Sequence, residues 1–265
     1  MSFRRMRHIK AREFQGCDVA FDFSNPATLY DATSGGSLVA ADGAIARAND
    51  TSGGSANATQ GTSGYRPLRK VAAINGLDVA RFDGSNDYLS AGDVGDYLDK
   101  PLIAYSVFKR TSGNEGGIFG KGRAGTIDGR WSILVDSAKV LCVAEPISGL
   151  ASGVYNIYEP SGSTSLAIYS LVSERTAGAS AAKNNVRKNG ASVASGENYT
   201  ETGASANTGF SLFIGAYNDS TGTAPVSPYY LNGDLGECAK FSRVFSSAEK
   251  NRLELSRARK WRIST

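Results

Sequence analysis

The sequence predicts an all-β fold, in which two antiparallel sheets form a sandwich that ends in a short C-terminal α-helix. Short apolar runs alternate with clusters of glycine, serine and asparagine along most of the 265 residues, 31 of which are glycine. The Asn-Gly pairs at 75–76 and 189–190 stand between apolar runs and favour tight hairpins, because both residue types tolerate positive φ. The last twenty residues contain neither glycine nor proline, which favours a helix.

Three segments are predicted along the chain. Residues 1–15 are basic and lack a hydrophobic period, so we interpret them as an arm. Residues 16–245 are predicted to form the sandwich, with about twelve to fourteen strands. Residues 246–265 are predicted to form the helix, because Ser246 and Glu249 fit a capping box. Trp261 is expected to pack on the sandwich while the lysines and arginines of the helix face solvent.

Charge is distributed unevenly along the chain. Residues 1–12 carry five basic residues and no acidic one, residues 250–265 carry six basic residues and one acidic one, and residues 13–249 have six more acidic than basic residues. Separated charge of this kind is typical of a surface that docks an acidic partner. Two solvated ends that keep the protein soluble are an equally good interpretation. The predicted docking residues are Arg4, Arg5, Arg7, Lys10, Arg12, Arg257, Arg259 and Lys260.

Three stretches, in order along the chain, carry a family resemblance. The first runs from Arg66-Pro67 to the segment Phe82-Asp83-Gly84-Ser85-Asn86-Asp87-Tyr88-Leu89, the second is 185–190, and the third comprises 213–215, 231–237 and 244–261. Together they resemble the laminin G-like (LamG) family of concanavalin A-like jelly rolls, of the type found in phage virion proteins. The resemblance implies an antiparallel jelly-roll sandwich with adjacent terminal strands, which would bring the two basic ends together. Because such folds host many functions, function has to be argued from the sites.

The residues needed for catalysis are sparse. The single histidine, His8, lies in the arm, which excludes a Ser-His-Asp triad or a multi-histidine metal site in the sandwich. The sequence lacks the Glu-x-Asp-x-Glu run that places carboxylates on one face of a strand in glycosidases of this fold. Cys17, Cys142 and Cys238 lack metal-binding spacing and are expected to be buried thiols. We therefore expect no enzyme, and a polysaccharide hydrolase that combines carboxylates from separate strands stays open as the third interpretation.

Calcium is the cofactor that the resemblance implies, because relatives often hold it at a sheet rim with the oxygen ligands that Ca²⁺ prefers. Asp83, Asn86 and Asp87 are the candidate ligands, with Asp93 and Asp96 next along the chain. All five also suit turns, because Asx side chains hydrogen-bond to their own backbone.

A glycan would need exposed aromatic rings beside amides and acids. Tyr217, Asn218, Asp219, Tyr229 and Tyr230 provide this combination. The alternative is that these tyrosines face the core or flank loops, as amphipathic rings do in many proteins.

The function predicted first is that of a non-enzymatic structural virion protein, namely a phage head-decoration, tail or fibre-associated subunit that docks through its basic termini. The fold is typical of extracellular surfaces, yet the sequence shows no signal peptide and no disulfide framework. Both absences are expected of a protein made in a host cytoplasm and released by lysis. Its expected partners are other virion proteins and copies of itself.

The alternative function is a glycan-binding adhesion module for attachment to a host surface. No apolar run reaches the ~18 residues of a transmembrane helix, so no membrane partner is expected. Nucleic acid is not expected either, because the basic ends lack interleaved aromatic residues.

Overall fold

The computed structural model describes residues 10–96, 101–111, 115–122, 131–136, 139–144, 157–159, 164–174, 182–198 and 209–265. Within these ranges one α-helix, α1, spans Ser247–Trp261. The strands in chain order are β1 Cys17–Asp22, β2 Leu29–Tyr30, β3 Arg47–Ala48, β4 Ala58–Thr59, β5 Leu68–Ile74, β6 Leu77–Asp83, β7 Leu89–Ser90, β8 Leu102–Arg110, β9 Gly116–Lys121, β10 Trp131–Asp136, β11 Lys139–Ala144, β12 Ile157–Glu159, β13 Ala167–Glu174, β14 Ala182–Lys188, β15 Ala191–Asn198, β16 Leu212–Ile214, β17 Ala216–Asn218, β18 Pro225–Tyr230 and β19 Asn232–Phe241.

These strands form two sheets, and the antiparallel jelly-roll sandwich predicted from the sequence is confirmed. Sheet 1 has eight strands in the order β15-β14-β13-β8-β19-β6-β5, with β1 also paired to β19. Sheet 2 has eleven strands, with the main path β12-β11-β10-β9-β16-β7-β4-β3-β2, and the β17–β18 hairpin joins it at β9. The 19 strands of the described ranges outnumber the predicted twelve to fourteen mainly because β2, β3, β4 and β7 are two residues long. Strands of this length are too short to show a hydrophobic period.

The main core fills the space between the two sheets. Phe21 and Phe82 enter it from sheet 1, and Phe119 and Trp131 enter it from sheet 2; each is at most 1% exposed. The rings of Phe119 and Trp131 meet edge to face at 5.0 Å. The indole N–H of Trp131 donates to the Gly95 carbonyl at 2.9 Å, so its polar atom is satisfied. Because packing occupies the inner faces, the outer faces, edges and loops remain for function.

The hairpins and the terminal strands follow the sequence prediction. Asn75 and Gly76 join β5 to β6 with φ of 54° and 81°, and Asn189 and Gly190 join β14 to β15 with φ of 51° and 94°. Positive φ at both positions is the geometry that Asn-Gly pairs tolerate. Strand β1 pairs antiparallel with β19, so the first and last strands of the sandwich are neighbours.

Helix α1 packs on the outer face of sheet 1 and creates a second cluster of buried residues, which we call the outer core. Trp261 is fully buried there, as predicted. The predicted capping box is present: the Glu249 N–H donates to Ser246 Oγ at 3.2 Å, and the Ser246 N–H donates to the Glu249 carboxylate at 2.9 Å. Phe14 stacks on Phe245 at 5.6 Å, so the end of the predicted arm belongs to this layer. No helix within the described ranges is long and apolar enough to cross a membrane.

Candidate functional site

Tyr65 and Tyr88 lie together beside sheet 2, and we call these two with the nearby Tyr230 the tyrosine cluster. Tyr65 and Tyr88 have ring centroids 6.4 Å apart, and Tyr88 meets the buried Phe213 edge to face at 5.5 Å. Burial raises the pKa of the Tyr230 phenol, and the neighbouring Tyr88 and Tyr65 raise it further. Tyr65 is 42% exposed, whereas Phe213 is 2% exposed. The cluster therefore presents aromatic surface to solvent on a buried base.

The local structure explains why these tyrosines point outward. Leu89, the first residue of β7, enters the main core, and alternation along a strand turns Tyr88 to the opposite side. Phe213 lies between the core residues Leu212 and Ile214 and therefore also faces outward. The Tyr88 N–H donates to the Tyr65 carbonyl at 3.1 Å, which holds the two segments together. Sequence reasoning did not select Tyr65 and Tyr88, because the three tyrosines come from three separate segments.

The five residues predicted to contact a glycan do not form one surface. Tyr217 and Tyr229 form a T-shaped pair at 6.3 Å, and Tyr230 joins the tyrosine cluster instead. Asn218 is only 3% exposed, and its amide donates to the carbonyls of Ser211 and Gly222 at 2.7 and 3.0 Å.

Asp219 belongs to the turn between β17 and β18. Its Oδ1 accepts from the N–H and the hydroxyl of Thr221 at 3.0 and 2.7 Å. The prediction that Asn218 lies at a glycan surface is therefore wrong, because its side chain is buried and holds the loop. Asp219 has its main role in the same turn, although it is partly exposed.

The predicted calcium ligands lie in the turn that follows β6. Asp83 Oδ1 accepts from the N–H groups of Ser85 and Asn86 at 2.8 and 3.2 Å, and Asp87 Oδ2 accepts from the Asp83 N–H at 3.0 Å. Asp87 is 6% exposed. Burial, with the nearby charge of Asp83, raises the pKa of Asp87 to about 6.

The turn leaves one buried oxygen without a hydrogen bond, Asn86 Oδ1. One carboxylate oxygen each of Asp83 and Asp87 is also left over by these backbone contacts. Two carboxylates and an amide oxygen are hard ligands of the kind that Ca²⁺ prefers. Within the described ranges, no group of three or more His, Cys, Asp or Glu side chains is placed to hold a metal ion. A cation in this turn would therefore depend on Asn86 and on water or backbone oxygens.

Asp93 and Asp96, the next carboxylates along the chain, already have a cation. The ammonium of Lys121 contacts both of them, and the Lys121 side chain is fully buried at the end of β9. Asp93 also accepts from the Gly209 N–H at 2.7 Å. These two aspartates therefore neutralise the buried charge of Lys121.

The structure corrects part of the predicted docking set. Arg257 is fully buried: its Nε lies 3.2 Å from Glu237 Oε2 and 3.0 Å from the Tyr105 hydroxyl. Lys260 is 10% exposed, and its Nζ lies 2.8 Å from Asp22 and 3.5 Å from Glu237. The expectation that both face a partner is wrong, because sheet 1 supplies acidic partners that draw them into the outer core.

The other basic residues of the docking set have different positions. Lys10, Arg12 and Arg259 are exposed, whereas Arg4, Arg5 and Arg7 lie outside the described residues. Of the N-terminal segment, residue 15 meets the chain just before α1, because the Arg243 guanidinium donates to the Gln15 carbonyl at 2.7 Å. The convergence of the two complete basic ends stays a prediction.

A cleft of about 620 Å³ opens on the part of the outer face of sheet 1 that α1 leaves uncovered. Its centre is a row of side chains across four strands, because Leu68 lies opposite Arg81, Arg81 opposite Asp234, and Asp234 opposite Lys109. Arg81 and Asp234 form a two-point contact, with Nε–Oδ1 at 2.7 Å and Nη2–Oδ2 at 2.9 Å. The lining residues are Leu68, Lys70, Arg81, Phe82, Asp83, Asp87, Lys109, Arg110, Thr111, Thr164, Asn232 and Asp234.

Comparison with known proteins supports the fold. No protein-family model matches the chain, and no curated protein sequence matches it. Among solved structures, the binding domain of Paraclostridial Mosquitocidal Protein 1 is similar with a TM-score of 0.57 and 9% identity, covering 94% of this chain and 53% of that one. The binding domain of botulinum neurotoxin serotype D is similar with a TM-score of 0.52 and 11% identity, covering 91% and 51%. This chain spans about half the length of both, and the likeness is one of fold.

Proposed function

We propose that this protein is a non-catalytic, laminin G-like binding module that attaches to saccharides through the tyrosine cluster. The observation that carries the proposal is the contact between Tyr65 and Tyr88, with Tyr88 packed on Phe213 and Tyr230 near both tyrosines. An aromatic ring offers an apolar face to the C–H groups of a sugar, and the phenol hydroxyl adds a directional hydrogen bond. Similar solved structures described as binding domains lend the proposal support at the level of fold.

A glycan array probed with the whole chain tests the proposal. Tyr65→Ala and Tyr230→Ala should each weaken binding to the best glycan about tenfold or more, since each removes a stacking face (about 1.4 kcal/mol or more). Leu38→Ala is the matched control, because Leu38 is an exposed apolar side chain outside the cluster. An array without any bound glycan would overturn the proposal. Loss of binding in Tyr229→Ala alone would move the site to the Tyr217–Tyr229 pair.

Calcium belongs to the same proposal as a structural cofactor of the 83–87 turn. The ion would be held by Asp83, Asn86 and Asp87, and its charge would neutralise the two carboxylates. Millimolar CaCl₂ should raise the midpoint of thermal unfolding of the whole chain, because an ion that binds only the folded state stabilises it. Asn86→Ala should abolish that rise, and MgCl₂ should reproduce little of it. An unchanged midpoint in CaCl₂ would remove calcium from the proposal.

A structural role in a virion is the second candidate function, with synthesis in the host cytoplasm and assembly onto other virion proteins or further copies of the chain. The observation that favours it is that the exposed Arg252 of α1 lies beside the segment that carries the exposed Lys10 and Arg12. The Arg252 guanidinium is 5.6 Å from the Phe14 ring. Deleting residues 1–9 spares the buried Phe14, so the sandwich should still fold while incorporation into particles falls. Full occupancy of the truncated subunit would refute this role.

A polysaccharide hydrolase is the remaining alternative. The cleft offers it Asp83 and Asp234 from the separate strands β6 and β19, beside Asp87, whose pKa is raised to about 6 by burial and by Asp83. Acid–base hydrolysis uses two carboxyl groups with separated pKa values. We expect no release of reducing ends from polysaccharides by the whole chain. Release that disappears in Asp87→Asn would replace the binding proposal.

A further inference from the structure

The cleft on sheet 1 combines fixed and free charges in a regular array. Asp234, whose side chain is 8% exposed, holds the guanidinium of Arg81, which is 46% exposed. An arginine has five N–H donors, and the contact with Asp234 uses Nε and Nη2, so the remaining N–H groups of Arg81 stay available to a ligand. Lys109 follows on the next strand and is exposed, and its side chain has no ion pair or hydrogen bond with the described residues. The row therefore places the buried Asp234 carboxylate between the cations of Arg81 and Lys109.

A second row runs parallel to the first on the same face. Asp83 lies opposite Asn232, and the Thr111 N–H donates to the Asn232 carbonyl at 2.9 Å, which places Thr111 next to it. This row offers a carboxylate, an amide and a hydroxyl, which are the groups that pair with hydroxyls. Neighbouring strands are about 4.8 Å apart, so the first row, which crosses four strands, extends about 14 Å. That length suits an oligosaccharide better than a single ring.

The surroundings of the cleft are basic. Residues 10–15 and α1 pack on the rest of the outer face of sheet 1, and their neighbourhood includes the exposed residues Lys10, Arg12, Arg252, Arg259 and Arg262. Charges on one face raise the local concentration of an oppositely charged ligand, with a range of about 8 Å at physiological salt. These five basic residues therefore lie on the same side of sheet 1 as the cleft.

We propose that this cleft binds an acidic oligosaccharide, with a sugar carboxylate at Lys109 and the free edge of Arg81, and with neighbouring hydroxyls at Asp83, Asn232 and Thr111. The inference rests on the proposed function in taking the ligand to be a saccharide, but it uses a surface that contains none of the three clustered tyrosines. A saccharide fits better than a nucleic acid, because the lining provides no exposed aromatic ring for base stacking. The three aspartates in the lining also oppose a closely spaced phosphate chain.

The test is an array that displays uronate-containing and neutral oligosaccharides, probed with the whole chain. Calorimetry then measures affinity for the best uronate-containing oligosaccharide and for its methyl ester. The ester, which has lost its charge, should bind at least about tenfold more weakly, a difference of about 1.4 kcal/mol. Lys109→Gln should cause a similar loss, and Lys109→Arg should restore most of the affinity.

Arg12→Gln is the matched control, because it removes the same charge from the same face without lining the cleft. It should change affinity less than about twofold at 0.15 M salt and act mainly on the association rate, as charges around a binding site do. Leu38→Ala, which changes an exposed apolar side chain outside both the cleft and the tyrosine cluster, should leave binding of the uronate-containing oligosaccharide unchanged.

Several outcomes would overturn the inference. These are an array without any bound uronate-containing oligosaccharide, equal affinity for acid and ester, equal affinity of Lys109→Gln and the unsubstituted chain, or tighter binding of oligo(dT) or polyglutamate than of any oligosaccharide. If Tyr65→Ala abolishes all binding and Lys109→Gln abolishes none, the tyrosine cluster is the site and the cleft is not. If only Lys109→Gln acts, the cleft stands and the tyrosine cluster fails.

Discussion

Asp87 is the carboxylate whose ionisation should oppose folding, and Asp87→Asn measures how strongly. The side chain is 6% exposed, and burial together with the charge of Asp83 raises its pKa from 3.8 to about 6. A shift of one pKa unit corresponds to 1.36 kcal/mol, so ionising Asp87 costs the folded state about 3 kcal/mol. The amide of asparagine has a similar shape and can accept the same Asp83 N–H, but it carries no charge.

The sign of the pH dependence follows from proton uptake. Between about pH 4 and pH 6 the folded protein holds more of the Asp87 proton than the unfolded chain does, so the free energy of unfolding falls as pH rises. Between pH 4.5 and 7.5 the free energy of unfolding falls by about 2 kcal/mol through Asp87. Asp87→Asn removes this pH dependence, because asparagine does not ionise. The stability of the variant relative to the unsubstituted protein should therefore improve by about 2 kcal/mol between these two pH values, whatever the substitution costs at pH 4.5.

Urea unfolding followed by far-UV circular dichroism at pH 4.5 and 7.5, without added Ca²⁺, provides the measurement. Asp219→Asn is the control. Burial acts to raise the pKa of Asp219, but the hydrogen bonds from Thr221, Ala224 and Gly222 together lower it. The contribution of the Asp219 carboxylate to stability is present above about pH 3.8, the pKa of an unperturbed aspartate, and should stay constant between pH 4.5 and 7.5. A relative stability of Asp87→Asn that does not change with pH, or that falls, would refute the burial argument.

Two further predictions concern the attachment of α1. Glu237→Gln should destabilise the protein by about 3–5 kcal/mol in urea unfolding, because it removes the carboxylate that pairs with the buried Arg257 cation. Tyr105→Phe, which removes one hydrogen bond to Arg257, should cost only about 1 kcal/mol. Equal costs of the two substitutions would contradict this account. Ser246→Ala should cost about 1 kcal/mol through loss of the N-cap, whereas Ser247→Ala, one residue later and exposed, should cost less than half as much. A larger loss in the Ser247 variant would contradict the capping argument.

Local chemistry explains which parts of the fold the sequence could predict. The Asn-Gly pair at 75–76 specifies its turn through the backbone freedom of those two residues, and Ser246 specifies the start of α1 through Glu249, three residues away. Neither needs information from the rest of the chain. A continuous run of strand-forming residues over 102–108 similarly predicts the long strand β8, whose inward and outward side chains both become buried.

The candidate sites depend on partners that are distant in sequence. Arg257 looks like a solvent-facing helix residue, and its burial depends on partners from distant strands such as Glu237, twenty residues earlier, and Tyr105. The tyrosine cluster joins residues 65, 88 and 230, and no period or motif connects them. The turn at 83–87 shows the intermediate case: its sequence predicts the carboxylates, but the raised pKa of Asp87 comes from the packing around it.

Strand β19 connects the cleft with the helix through a single irregularity. In a regular strand Asp234 and Glu237, three residues apart, would point to opposite faces. The register of β19 with β8 shifts between Leu235 and Glu237, and a bulge of this kind turns the following residues over. Both carboxylates therefore face outward, Asp234 into the cleft and Glu237 beneath Trp261, whose indole donates to it at 2.7 Å.

Gly236 lies at this irregularity, where an added Cβ would lie 2.3 Å from the Trp261 ring. A side chain at position 236 would displace the end of α1 and disturb the register that orients Asp234. Gly236→Ala should therefore reduce stability and oligosaccharide binding together. Lys109→Gln should reduce binding alone, because its side chain is exposed and does not contact α1. If Gly236→Ala lowered stability and left binding intact, the helix and the cleft would be structurally independent, and the bulge would serve only to seat the helix.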